Sequence, residues 1–107
     1  MANNYKNAKA DLSSTSDTTV YTCPTATQTI VKSILISNDS GSSDTLNITL
    51  TNTSSAVFSV FKAKSVASNT TVELLSQPLI IMESEILKAQ ATTADRLHII
   101  VSFLEVN

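Results

Sequence analysis

From Thr18 onward the chain alternates apolar residues with Ser, Thr and Asn at a period of two, the spacing of side chains on a pleated strand. Thr18–Thr22 (TTVYT) predicts a short strand, stopped by Cys23-Pro24. Gln28–Asn38 (QTIVKSILISN) predicts the strongest strand, with Ile30, Ile34 and Ile36 on one face and Val31 and Leu35 on the other. Apolarity on both faces implies a central strand, or one covered on both sides. Asn38–Asp44 is a turn cluster holding Gly41, the only glycine. Leu46, Ile48 and Leu50 then alternate with Asn47, Thr49 and Thr51, the pattern of a sheet with one wet face.

Further strands are predicted at 57–62, 69–75, 79–82 after Pro78, 86–91 after the Glu83-Ser84 turn, and 97–106. The residues of Ser84–Ala91 favour helix, but eight residues between strands leave little room for one, so the segment reads as strand. The expected fold is all-β: an antiparallel β-sandwich, jelly-roll-like, of seven or eight short strands, with a barrel as the topological alternative. The expected core is Ile34, Ile36, Leu46, Ile48, Leu50, Val72, Leu74, Ile99, Val101 and Phe103. The last strand is apolar on its other face too. Ile100, Leu104 and Val106 there form a candidate subunit interface, against the alternative of a second layer of the same domain. Residues 1–16 read as a polar N-terminal arm, too polar for the core and ordered on a neighbouring subunit. Residues 17–107 read as the β-sandwich domain.

Composition sharpens this picture. At 107 residues one domain is expected. Hydrophobic residues make up 42% of the chain and charged residues 15%, against about 25% charged in an ordinary domain, so a disordered chain is excluded. A net charge of −2, scattered lysines and no tryptophan give neither a phosphate-neutralising surface nor a base-stacking platform, so no nucleic acid is expected as a partner. Lys32, Lys62 and Lys88 read as charges that discourage edge-to-edge pairing of β-prone segments. No apolar run approaches the 18 residues of a membrane span, and the polar start lacks the apolar centre of a secretory signal; no membrane partner is expected.

Reactive chemistry is sparse. His98 is the only histidine, and alternation puts Asp95 in the turn before its strand, so no Ser-His-Asp arrangement with Ser102 is expected. Cys23 is the only cysteine; it excludes an internal disulfide and reads as a small semi-buried side chain. One histidine and one cysteine do not make the usual zinc site. Glu83 and Glu85 read as solvated turn acids rather than a hydrolase pair, and Asp39 and Asp44 lack the spacing of a calcium loop. A single glycine excludes phosphate-cradling loops. Glycosylation acceptor patterns at Asn38, Asn47, Asn52 and Asn69 are what chance supplies in a chain with 16 serines and 15 threonines. No enzyme activity, metal or cofactor is expected.

One resemblance spans residues 11–106. Tyr21, Pro24, Ile30–Ile36, Asn38, Asn69–Leu74, Pro78-Leu79, Ile86–Ala91 and Glu105-Val106 fall in the order "lYt.P..t..ivksI.i.N.s", then "v.an.tvel...plil..ge.l.a.as....l.v..s..Ev". In this the chain resembles small β-sandwich virion proteins of tailed bacteriophages. Glu83-Ser84-Glu85 departs from the pattern, since similar chains often carry glycine in that turn. The resemblance implies a structural, oligomeric subunit of the head (as capsid decoration), neck or tail, made in the host cytoplasm and held in the virion by other virion proteins. The alternative it leaves is a carbohydrate- or receptor-binding module of a phage tail or fibre.

Overall fold

The computed structural model describes residues 3–107. Among them are nine strands and no helix: β1 (Asn3–Asp11), β2 (Thr18–Thr22), β3 (Gln28–Asn38), β4 (Asp44–Thr51), β5 (Val57–Val66), β6 (Thr70–Glu73), β7 (Leu79–Ile81), β8 (Ile86–Ala91) and β9 (Leu97–Val106). They form two antiparallel sheets. The first has the order β1-β9-β3-β6, with β7 continuing the lane of β6 along β3; the second has the order β2-β8-β4-β5. The chain is thus the antiparallel sandwich that the alternation predicts, with Ser84–Ala91 contributing a strand.

The core lies between the sheets, built from the inward residues of alternating strands. Val31, Ile34, Ile36, Leu46, Ile48, Leu87, Ile99 and Val101 are fully buried. Leu50, Val72 and Leu74, expected in the core, are half-buried at its margin.

The faces of β3 differ from those expected. Its register against β9 shifts between Val31 and Ser33, so Lys32 is an extra, bulged residue. Strict alternation from Ile34 would turn Ile30 inward; the bulge instead turns Val31 inward and leaves Ile30 on the outer face with Leu35.

The N-terminal segment also departs from the reading of a detached arm; Met1 and Ala2 lie outside the described residues. Asn3–Asp11 pairs with β9 of its own chain from end to end, as the edge strand of the first sheet. Backbone pairing holds it, since only Ala8 and Ala10 among its side chains are half-buried. Leu12 then inserts into the core, its N–H donating to the Leu97 carbonyl (3.0 Å) and its own carbonyl accepting from the Asp95 N–H (3.0 Å).

Tight turns are made with almost no glycine. Ala26, Ser55, Asn69, Ser84 and Asp95 have positive φ between strands, and Ala63 has it within β5, where the register against β4 shifts. Ser84, at φ 66°, takes in the turn between β7 and β8 a conformation that glycine adopts more readily.

Candidate assembly surface and the network behind it

The two outer faces of the sandwich differ in chemistry. On the second sheet the outward residues of β4 are Thr45, Asn47, Thr49 and Thr51, and the apolar residue beside them is Val57 of β5, paired with Thr51 at the sheet edge and 62% exposed. On the first sheet, pairing aligns Tyr5 of β1 with Leu104 of β9, Leu104 with Ile30 of β3, and Ile30 with Ile80 of β7. Four apolar side chains from four lanes therefore form one row across the outer face. A parallel row carries Lys9, Ile100, Leu35 and Glu73. Between them runs a polar row with Asn7 and Ser102. Tyr5 is 78% exposed, Ile80 48% and Ile100 39%, while Leu104 and Val106 are half-buried. Ile100, Leu104 and Val106 thus share this outer face, which no second layer among the described residues covers. Tyr5, Ile30 and Ile80 were missed because β1 carried no apolar alternation and the bulge hid the orientation of Ile30.

Glu73 is fixed by its position in the sheet. Along β3, β7 pairs with Thr29–Val31 and β6 with Leu35–Asn38, leaving the backbone between them without a strand partner on the side away from β9. The Glu73 carboxylate fills that gap, accepting from the N–H of Ile34 (2.8 Å), the N–H of Leu75 (3.1 Å) and the Ser33 hydroxyl. Burial acts to raise its pKa, but these three donors outweigh that and hold it below the ordinary carboxylate value.

Beneath the face lies a polar cluster that enters the core. Glu105 points inward from β9 and is 3% exposed. The Tyr21 hydroxyl donates to its Oε2 (2.6 Å), and Lys6 Nζ lies 2.9 Å from its Oε1. Because tyrosine has one proton and gives it to the carboxylate, the Thr29 hydroxyl donates to the Tyr21 oxygen (2.7 Å). The Tyr21 ring packs on Phe103 with centroids 4.3 Å apart. This network joins β1, β2, β3 and β9, and so ties both sheets and both ends of the chain together. The Tyr21 hydrogen bond, assisted by Lys6, holds the Glu105 carboxyl below its ordinary pKa despite burial. Burial, followed by the bond to Glu105, pushes the Tyr21 phenol far up. The burial of Tyr21, Thr29 and Glu105 and their mutual pairing suit a clamp.

The remaining candidate residues have local partners. His98 has Asp11 Oδ1 3.3 Å from Nδ1 and Asp39 Oδ2 3.2 Å from Nε2, so both ring nitrogens face carboxylates and neither faces a serine hydroxyl. Glu83 accepts from the Ala26 N–H (2.9 Å) and Glu85 from the Met82 N–H (2.8 Å), each bracing a turn. Asp44 accepts from the Thr93 N–H (3.0 Å), away from Asp39. Among the described residues no cluster of three or more His, Cys, Asp or Glu is placed to hold a metal. Asn38 is 1% exposed and donates to the Ser42 and Val66 carbonyls, while Asn47 accepts from the Ala63 N–H, so both amides work in turns and strands. Cys23 is 1% exposed with Sγ 3.3 Å from the Thr27 carbonyl oxygen. A thiol reagent is accordingly expected to label native protein far more slowly than protein in denaturant; equal rates would show that the Cys23 loop opens freely.

No family model matches the chain, and no curated protein matches it. Among solved structures, a chain of infectious bursal disease virus Gt strain aligns with 98% of this chain at 8% identity and a TM-score of 0.41. This chain spans 30% of that one. A likeness that loose carries no argument about function.

Proposed function

We propose that this chain is a non-enzymatic structural subunit of a virion, of the tailed-bacteriophage kind its strand and turn strings resemble, and that it assembles through the outer face of the first sheet. The observation that carries the proposal is the apolar row Tyr5–Leu104–Ile30–Ile80, with Ile100 and Leu35 beyond a polar row, on a face that no other strand among the described residues covers. A free monomer gains nothing from leaving such a row in water, whereas a bound subunit buries it. The other partners are the neighbouring virion proteins, and the site of action is the particle. The sugar-binding alternative is weakened by Tyr21, which is 9% exposed; of the two tyrosines only Tyr5 can offer a ring to a ligand.

Mass spectrometry of purified particles is expected to find the chain at a fixed copy number. Hundreds of copies indicate head decoration, and six to a few tens indicate neck or tail. Leu104→Asp with Val106→Asp is expected to fold, because both side chains point away from the core, yet to be excluded from particles. Normal incorporation of this variant would place the interface elsewhere.

A further inference from the structure

We infer that the outer face of the first sheet pairs with the same face of a second copy, about a two-fold axis running along the strands between β9 and β3. The inference rests on the structural-subunit reading and names its first partner. Its basis is that the face is complementary to itself in one orientation.

Four lanes cross the sheet: β1, β9, β3, and the lane shared by β6 and β7. A two-fold axis along the strands lays each lane over its counterpart from the other side: β1 over the partner's β6 and β7, β9 over the partner's β3. Each row then meets its own reversed image. In the apolar row, Tyr5 meets Ile80 and Leu104 meets Ile30, twice each. In the second row, Ile100 meets Leu35 and Lys9 meets Glu73, again twice each. Opposite charges therefore meet at both margins and aliphatic side chains meet inside each row, while the polar row between them, with Asn7, Ser102 and the exposed Lys32 of the bulge, meets its own reversed image.

The other in-plane two-fold axis, across the strands, sets the apolar row against the charged one. The Glu73 carboxylate would then face Ile80, and Lys9 would face Tyr5, leaving both charges without opposite partners. The fixed Glu73 carboxylate thus selects the axis along the strands, as like or unpaired charges select against a wrong register. Two sheets related in this way run nearly parallel, which is the common aligned packing at a spacing of about 10 Å. The area also suffices. The molecule is 45 Å long and at least 22 Å across, enough for the about 800 Å² per partner of a stable interface.

The discriminating experiment is a cross-link between positions that are distant within one copy and adjacent between two. Tyr5 and Ile80 lie three lanes apart, about 14 Å within a chain, too far for an internal disulfide. Both side chains are exposed, so Tyr5→Cys with Ile80→Cys should leave the fold intact. Mild oxidation is expected to give a covalent dimer, with little product from either single variant. Light scattering of the unaltered chain is expected to give twice the mass of one copy. Lys9→Glu is expected to weaken the dimer by about tenfold at low salt. A monomeric mass up to about 100 μM, or a dimer in which the double-cysteine variant does not cross-link, overturns the pairing. A chain found in particles but monomeric in solution refutes the pairing and leaves the structural role. A cross-linked dimer absent from particles refutes the role and leaves the pairing.

Discussion

Replacing Ile48 with alanine is expected to destabilise the fold by about 2–5 kcal/mol. Ile48 is fully buried at the middle of β4, an interior strand held by β8 on one side and β5 on the other. Its pairing neighbours are Ala89 on β8 and Phe61 on β5. Alanine at 89 has no side chain long enough to fill the space a shortened residue 48 vacates. The cavity should persist rather than collapse, which places the cost in the upper half of the range. Denaturant unfolding should show an earlier midpoint with an unchanged slope. A loss below about 0.5 kcal/mol would mean that Ile48 does not face the core.

Tyr21→Phe should cost about 1.5–3 kcal/mol near neutral pH, the range for a hydrogen bond to a charged group. The substitution keeps the ring on Phe103 and removes only the hydroxyl. Glu105 is then left buried, with Lys6 as its remaining donor partner. Its pH dependence follows from the lowered pKa of Glu105. A carboxyl that ionises more readily folded than unfolded adds stability above its unfolded pKa, and that stability drains away as pH falls through the folded value. Without the Tyr21 donor the folded pKa of Glu105 rises, so this acid-sensitive share shrinks. The gap between the two proteins should be wide at pH 7 and narrower at pH 3. Urea unfolding at both values measures it. A gap of equal size at both would show that Glu105 does not carry the charge through Tyr21.

Most of the sandwich is legible in the sequence because half-buried strands must alternate. β4 is the clearest case, with Leu46, Ile48 and outward Asn47 and Thr49 where the pattern puts them. β1 is illegible for the converse reason. It buries almost nothing on either side, so selection for apolar residues never marks its period. Its pairing is a backbone property that leaves no trace in NNYKNAKAD. The bulge at Lys32 is hidden because a single extra residue changes no composition, yet it exchanges inside for outside for Ile30 and Val31. Of the candidate surface, Ile100, Leu104 and Val106 are readable from β9 alone. Tyr5 and Ile80 become neighbours of that patch only through strand order. Alternation puts Glu105 on the face of Phe103, but nothing in the sequence pairs it with Tyr21, 84 residues away, until the sheets bring them together.

The placement of β9 has a consequence for the order in which this fold can come into being. β1 and β3 lie on either side of β9 and reach no other partner in common, although β1 is made first and β9 after every other described strand. During synthesis the second sheet can close once β8 has emerged, because β2, β4, β5 and β8 are all then available. The first sheet has to wait. Until Leu97–Val106 leaves the ribosome, β3 has only its short β6 and β7 neighbours and β1 has no partner at all. Folding is therefore completed from the last strand inwards, over long loop closures that make it slow. In that interval the unpaired edge of β3 is open to the same edge on another nascent chain. Lys32, at the bulge midway along that edge, stands where a charge best discourages such pairing.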